Sequence, residues 1–125
     1  MQLRRAGQVW SKMRFASAQL IAYVENDLWL KMAQASNRIA ARISAALTDI
    51  PGVRLLAPIE ANEIFLELPH GTMDALEQDG FQFYRRSRTL ARFVCRFDTA
   101  EAEADALAAA LRRHLGPATT PRAAE

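Results

Sequence analysis

Five arginines, Arg85, Arg86, Arg88, Arg92 and Arg96, fall within twelve residues that contain no acid. A guanidinium presents a planar fork of donors that can grip a carboxylate or phosphate with two parallel hydrogen bonds. Alternation along Leu90–Phe97 predicts Arg92, Val94 and Arg96 on one sheet face, with Ala91, Phe93, Cys95 and Phe97 on the other. Arg92 is thus either a clamp for a ligand carboxylate or the partner of a sequence-local acid, and Arg96 is equally either a functional cation or an exposed residue balanced by neighbouring acids. Other chemistry is sparse. His70 and His114 sit in different elements, with no Cys or carboxylate at metal-ligand spacing, so structural or solvent-facing roles are expected and no metal site is read. Cys95 reads as a buried, inert thiol. There is neither a glycine-rich phosphate loop nor a Gly-x-Ser-x-Gly elbow. Asp98, Glu101, Glu103 and Asp105 read as cap and solvated-face residues at the start of a helix.

The elements that must position these residues follow from periodicity. Val9, Trp10, Met13, Leu20, Ile21 and Val24 roughly fit one helix, interrupted by Glu25-Asn26-Asp27, where Asn26 or Asp27 can cap a second. In that second helix Leu28, Met32, Ala35, Ile39, Ile43, Ala46 and Leu47 recur at steps of three and four, and Pro51-Gly52 ends it. Val53–Leu56 predicts a short strand. Asn62–Leu68 predicts another, with Ile64, Leu66 and Leu68 on one face and Glu63, Phe65 and Glu67 on the other. A helix at about 71–79 closes on Gly80, and strands at 81–85 and 90–97 form a hairpin. Asp98 with Glu101 resembles a capping box opening a last helix, whose buried stripe is Leu107, Leu111 and Leu115. The expected architecture is α+β: a small, largely antiparallel sheet with helices packed on one face, preceded by two N-terminal helices. One domain over 1–116 and a disordered tail over 117–125 are expected.

The 125-residue length leaves no room for a second full-sized domain, and 50% hydrophobic with 24% charged residues suits a globular chain. Sixteen Lys and Arg against fourteen Asp and Glu give a net charge of +2, which supplies little general attraction to nucleic acid. The single cysteine cannot form an intrachain disulfide, and no apolar run approaches the ~20 residues that span a bilayer. The apolar run Ala16–Val24 follows basic residues, as in a signal peptide. It contains Ser17 and Gln19 and ends in Glu25-Asn26-Asp27, so it reads as a helix of a cytoplasmic protein.

Ser11-Lys12-Met13-Arg14-Phe15-Ala16-Ser17-Ala18-Gln19 with Asp27-Leu28-Trp29-Leu30, Pro51-Gly52-Val53, Glu60-Ala61-Asn62-Glu63-Ile64-Phe65 and Gly80-Phe81-Gln82-Phe83-Tyr84-Arg85 together resemble the C-terminal part of low-specificity L-threonine aldolases. Those are lyases of the aspartate-aminotransferase superfamily, fold type I, that use pyridoxal 5′-phosphate. The resemblance runs over about residues 4–115 and implies their small C-terminal α+β domain. It implies that Arg92, in Leu90-Ala91-Arg92-Phe93-Val94, binds the α-carboxylate of a β-hydroxy amino acid substrate. Arg14 matches an arginine near the cofactor and a subunit boundary. No catalytic residue is implied, because the Schiff-base lysine belongs to the large domain; Lys12 does not match it, and covalent cofactor binding by this chain is not expected.

Three readings follow: a C-terminal part of such an aldolase, inactive alone; a non-catalytic domain docking on a full-length aldolase; and, weakest, a basic module meeting nucleic acid through Arg85–Arg96. The first two imply a homo-oligomer or a partner large domain, with no membrane. They also imply exposed apolar surface at Trp10, Phe15, Ile21 and Trp29.

Overall fold

The computed structural model describes residues 11–116. Helix α1, Met13–Val24, begins after Lys12, which is left-handed at φ 64°, and none of its residues is buried. A 3₁₀ turn, Glu25–Asp27, follows with Asn26 and Asp27 at φ 55° and 57°. Asn and Asp tolerate this region better than most side chains, which is why the interruption falls on them. Helix α2, Leu28–Leu47, then runs for 20 residues and buries Ser36, Ile39, Ala40, Ile43 and Leu47. The chain divides into two compact units, Met1–Met32 and Ala33–Glu125.

The second unit contains the sheet. Strands β1, Arg54–Leu55, and β2, Glu63–Glu67, precede helix α3, Thr72–Gln78. Strands β3, Tyr84–Arg85, and β4, Leu90–Val94, precede helix α4, Glu101–Leu115. The order is β1-β2-β4-β3, with every neighbouring pair antiparallel. The α+β sheet-and-helix arrangement expected from the sequence is therefore the one found. Ile64, Leu66, Leu68, Ala91, Phe93 and Cys95 turn one sheet face inward, where Ile39, Ile43 and Leu47 of α2, Met73 and Leu76 of α3, and Leu107 and Leu111 of α4 cover it. Removing this apolar area from water is the main favourable contribution to the unit's stability.

Ion pairs fasten the helices at the surface. The Arg42 guanidinium of α2 donates to Asp105 of α4 at 2.9–3.1 Å and stands 3.2 Å from Glu101. Arg112 Nη2 donates to the Ala46 carbonyl at 2.8 Å.

Four expectations need correction. Residues 81–83 are not strand, because the Phe81 amide donates to the Leu76 carbonyl and the chain leaves α3 through Gly80 at φ 93°. Residues 95–97 also leave the strand: the Arg96 amide donates to Thr99 Oγ1 at 2.9 Å and the Thr99 amide returns to the Arg96 carbonyl. That turn breaks the alternation, so Phe97 is exposed, not inward. Helix α4 starts later than the Asp98–Glu101 box implied: Glu103 Oε1 accepts from the Ala100 amide at 3.4 Å, while Asp98 pairs with Arg96 and Glu101 with Arg42. Trp10, the expected tail 117–125 and the first residues of the expected first helix lie outside the described residues.

Candidate functional site

Strand alternation that buries Ala91 and Phe93 turns Leu90, Arg92 and Val94 to the other face of the sheet. On β2 the same rule buries Ile64 and Leu66 and turns Glu63, Phe65 and Glu67 outward. Register places Arg92 opposite Phe65 on one side and Tyr84 on the other, so these three form a row across β2, β4 and β3. Glu63 faces Val94 and is diagonal to Arg92.

The Arg92 guanidinium lies over the Tyr84 ring, its central carbon 4.5 Å from the ring centroid. Nη1 stands 3.5 Å from Glu63 Oε1, and the side chain keeps 27% of its surface exposed. Nε is buried without a hydrogen-bond partner. The acid beside Arg92 is thus a cross-strand residue 29 positions away, not a sequence-local one. At 3.5 Å the pair holds charge near charge without saturating the guanidinium's donors. A planar anion such as a carboxylate matches what remains.

The rest of the arginine block behaves differently. Arg85 is held by Glu77 at 2.8 Å and Asp74 at 2.5 Å, contacts that raise its own pKa and hold the Glu77 carboxyl below the usual range. Arg96 pairs with Asp98 at 2.6 Å, as its exposed, acid-balanced reading expected. Arg86 and Arg88 are exposed on the connection from β3 to β4.

Among the described residues of the second unit, two concavities stand out. One, of about 780 Å³, is lined by Ile43, Phe81, Phe83, Phe93, Cys95 and Leu107 among others, and burial pushes the Cys95 thiol pKa up, away from reactivity. The other, about 510 Å³, has both His70 and His114 in its lining. Sequence spacing gave no hint of this, since 44 residues separate them. His114 Nε2 lies 2.6 Å from Asp79 Oδ2, and Arg113 reaches the same oxygen at 2.5 Å. The His114 contact, reinforced by Arg113, keeps the Asp79 carboxyl below its ordinary range. No group of three metal-ligating side chains occurs among the described residues.

The described residues do not by themselves assemble a pyridoxal-phosphate site. The two lysines, Lys12 and Lys31, are exposed, and neither lines either concavity. Arg14 is exposed on α1, with its guanidinium 4.9 Å from the ring of its neighbour Phe15. Arg92 lies outside both concavities, on the open sheet face. Tyr84 and Glu63, which touch Arg92, were not picked out by sequence reasoning; the signal was the strand register, which only the fold provides.

The same α+β arrangement occurs within larger chains of known structure. The structure resembles Leishmania major threonine aldolase with a TM-score of 0.75 at 24% identity, over 91% of this chain and 34% of that one. It also resembles glycine decarboxylase, the P-protein of the glycine cleavage system, with a TM-score of 0.65 at 28% identity over 77% of this chain and 24% of that one.

Sequence relatives narrow this further. The chain is 42% identical over 110 residues to a low-specificity L-threonine aldolase of Pseudomonas sp. (strain NCIMB 10558), covering 87% of this chain and 32% of the relative. It is 40% identical over 97 residues to the enzyme of that name from Pseudomonas aeruginosa, covering 77% of this chain and 28% of the relative. No family model matches. The chain is homologous to a segment of the low-specificity L-threonine aldolases and spans about a third of the length of these curated relatives.

Proposed function

We propose that this chain is the small C-terminal lobe of a pyridoxal-phosphate-dependent threonine aldolase. In that reading Arg92 anchors the α-carboxylate of a β-hydroxy amino acid, and a large lobe supplies the reacting groups. The observation that carries the proposal is the state of Arg92: mid-strand, one-quarter exposed, stacked on Tyr84, and only loosely paired with Glu63. Arg42 and Arg85, by contrast, each donate several side-chain hydrogen bonds to protein carboxylates.

The complete enzyme would cleave threonine to glycine and acetaldehyde, the cofactor supplying an electron sink for the bond that breaks. This chain's share is positioning. A bidentate Arg92–carboxylate contact fixes two points of the substrate and so restricts rotation about the bond to Cα. Arg14 would approach the cofactor only when another part of the enzyme covers α1.

Apolar exposure supports the incompleteness of the site. Phe15, Leu20, Ile21, Tyr23, Val24, Leu28, Trp29 and Leu30 are all exposed, a run that suits burial against a large lobe or a second subunit. A free-standing docking domain for a full-length aldolase would use the same surface. The nucleic-acid alternative loses ground because Arg85 and Arg96 are already paired with acids. Among the described residues no helix is long and apolar enough to cross a membrane, and a cytoplasmic setting is consistent with the lone, buried Cys95.

The test is a graft. This chain replaces the matching segment of the Pseudomonas sp. aldolase, and acetaldehyde release from L-threonine is measured with pyridoxal phosphate present. The graft is expected to cleave threonine, and the isolated chain is expected not to. A folded, cofactor-loaded graft without activity, or turnover by the isolated chain, would contradict the proposal.

A further inference from the structure

We infer that Tyr84 and Glu63 are positioning residues for Arg92, together holding its guanidinium so that the outer Nη edge faces the open side of the sheet. The inference rests on the reading of Arg92 as a carboxylate anchor and adds how that anchor is kept ready.

A long side chain with four rotatable bonds, left free on a solvated sheet, samples many rotamers and loses that freedom on binding. Two contacts restrict it here. The Tyr84 ring, directly across from Arg92 on β3, takes the flat face of the guanidinium at 4.5 Å. Arginine suits this contact because its planar, weakly hydrated cation stacks on an aromatic face. Glu63 stands diagonally across on β2 and draws Nη1 toward itself at 3.5 Å. Nε sits below the surface, out of reach of any ligand, so the Nη groups are the donors left for one.

The division of labour is asymmetric. Tyr84 fixes the plane of the guanidinium through its ring, for which the hydroxyl is not required. Glu63 fixes the direction of the stem through charge. Its 3.5 Å separation makes it a weak competitor for the donors, which an incoming carboxylate at hydrogen-bond distance displaces. The edge strand β3 has only two residues, Tyr84 and Arg85, and both are tied down: Arg85 by Glu77 and Asp74 of α3, Tyr84 by Arg92. The Arg85 anchors therefore hold the strand that presents the Tyr84 ring.

Nuclear magnetic resonance of the full chain labelled with ¹⁵N-arginine tests this, the Arg92 Nε–H signal being assigned by its loss in Arg92→Lys. The expected wild-type signal exchanges slowly with water. In Tyr84→Ala its exchange should quicken roughly two- to fivefold, the population shift that an exposed cation–π contact represents. Tyr84→Phe should restore the wild-type rate, which a role for the hydroxyl would not, and Glu63→Gln should give a smaller increase. Unchanged backbone amide signals from β2 and β4 establish that each variant is folded. An Arg92 rate unaffected by Tyr84→Ala, or lost equally in Tyr84→Phe, would overturn the inference. Titration with sodium acetate separates the underlying reading: a slow Arg92 signal that acetate does not shift would overturn the anchor while leaving the Tyr84 and Glu63 contacts standing.

Discussion

Helices α1 and α4 show how little apolar content alone says about burial. Helix α1, MRFASAQLIAYV, carries the bulkier apolar side chains and buries none. Helix α4, EAEADALAAALRRHL, is built largely from alanine and buries Ala104, Leu107, Ala108, Ala110 and Leu111. The difference lies in the partner, since α4 has a complete sheet face to cover. An exposed 12-residue helix has little intrinsic stability in water, so the apolar side chains of α1 make sense as surface prepared for something else. In the proposed reading, a large lobe or a second subunit would occupy that surface.

The sharpest contrast should come from equal truncations in the two helices. Leu111→Ala, at a fully buried position, is expected to cost about 2–5 kcal/mol in urea denaturation of the chain. Leu20→Ala, on α1, is expected to change stability by less than about 0.5 kcal/mol. Comparable losses would mean that α1 is covered in the chain as it stands.

Next in size is self-association. The isolated chain should sediment as oligomers at high concentration, and Ile21→Glu with Val24→Glu should shift it toward monomer. A wild-type chain that sediments as a clean monomer would remove the argument that α1 seeks a partner.

Acid should separate the regions too. Asp79, Glu77 and Asp105 are held below their usual range by His114 and Arg113, by Arg85 and by Arg42 respectively. A depressed carboxyl contributes stability above its unfolded pKa and loses it as pH falls through the folded value. The second unit should therefore lose stability as pH drops below about 4, followed by circular dichroism against urea at each pH. Asp79→Asn should flatten part of that slope. Arg42→Met should change stability only slightly, because both of its acids are well exposed.

Legibility in the sequence followed the strength of periodicity. The Ile39, Ile43, Leu47 stripe and the Ile64, Leu66, Leu68 alternation each repeat long enough for one face to be unambiguous, and all six residues are buried. Alternation carried past Val94 put Phe97 inside, because nothing in the apolar pattern marks the turn that Thr99 closes on the Arg96 amide. The helix start was misplaced because Asp98, Glu101 and Glu103 are all acids that suit a first turn. The choice among them depends on tertiary partners, Arg96 and Arg42. Within the candidate site, Arg92 stood out as a mid-strand cation. Its neighbours Tyr84 and Glu63 come from two other strands, and their approach depends on a pairing register that spacing along one chain does not encode. That His70 and His114 line one concavity was hidden for the same reason.

The central claim, that Arg92 holds the substrate's carboxylate, is tested most directly in the aldolase graft by comparing Arg92 with Arg92→Lys. A lost bidentate contact should lower kcat/KM for L-threonine by roughly tenfold or more, equal to a charge-assisted hydrogen bond of about 1.5–3 kcal/mol, while cofactor absorbance stays unchanged. Equal kcat/KM in the two grafts would contradict the account.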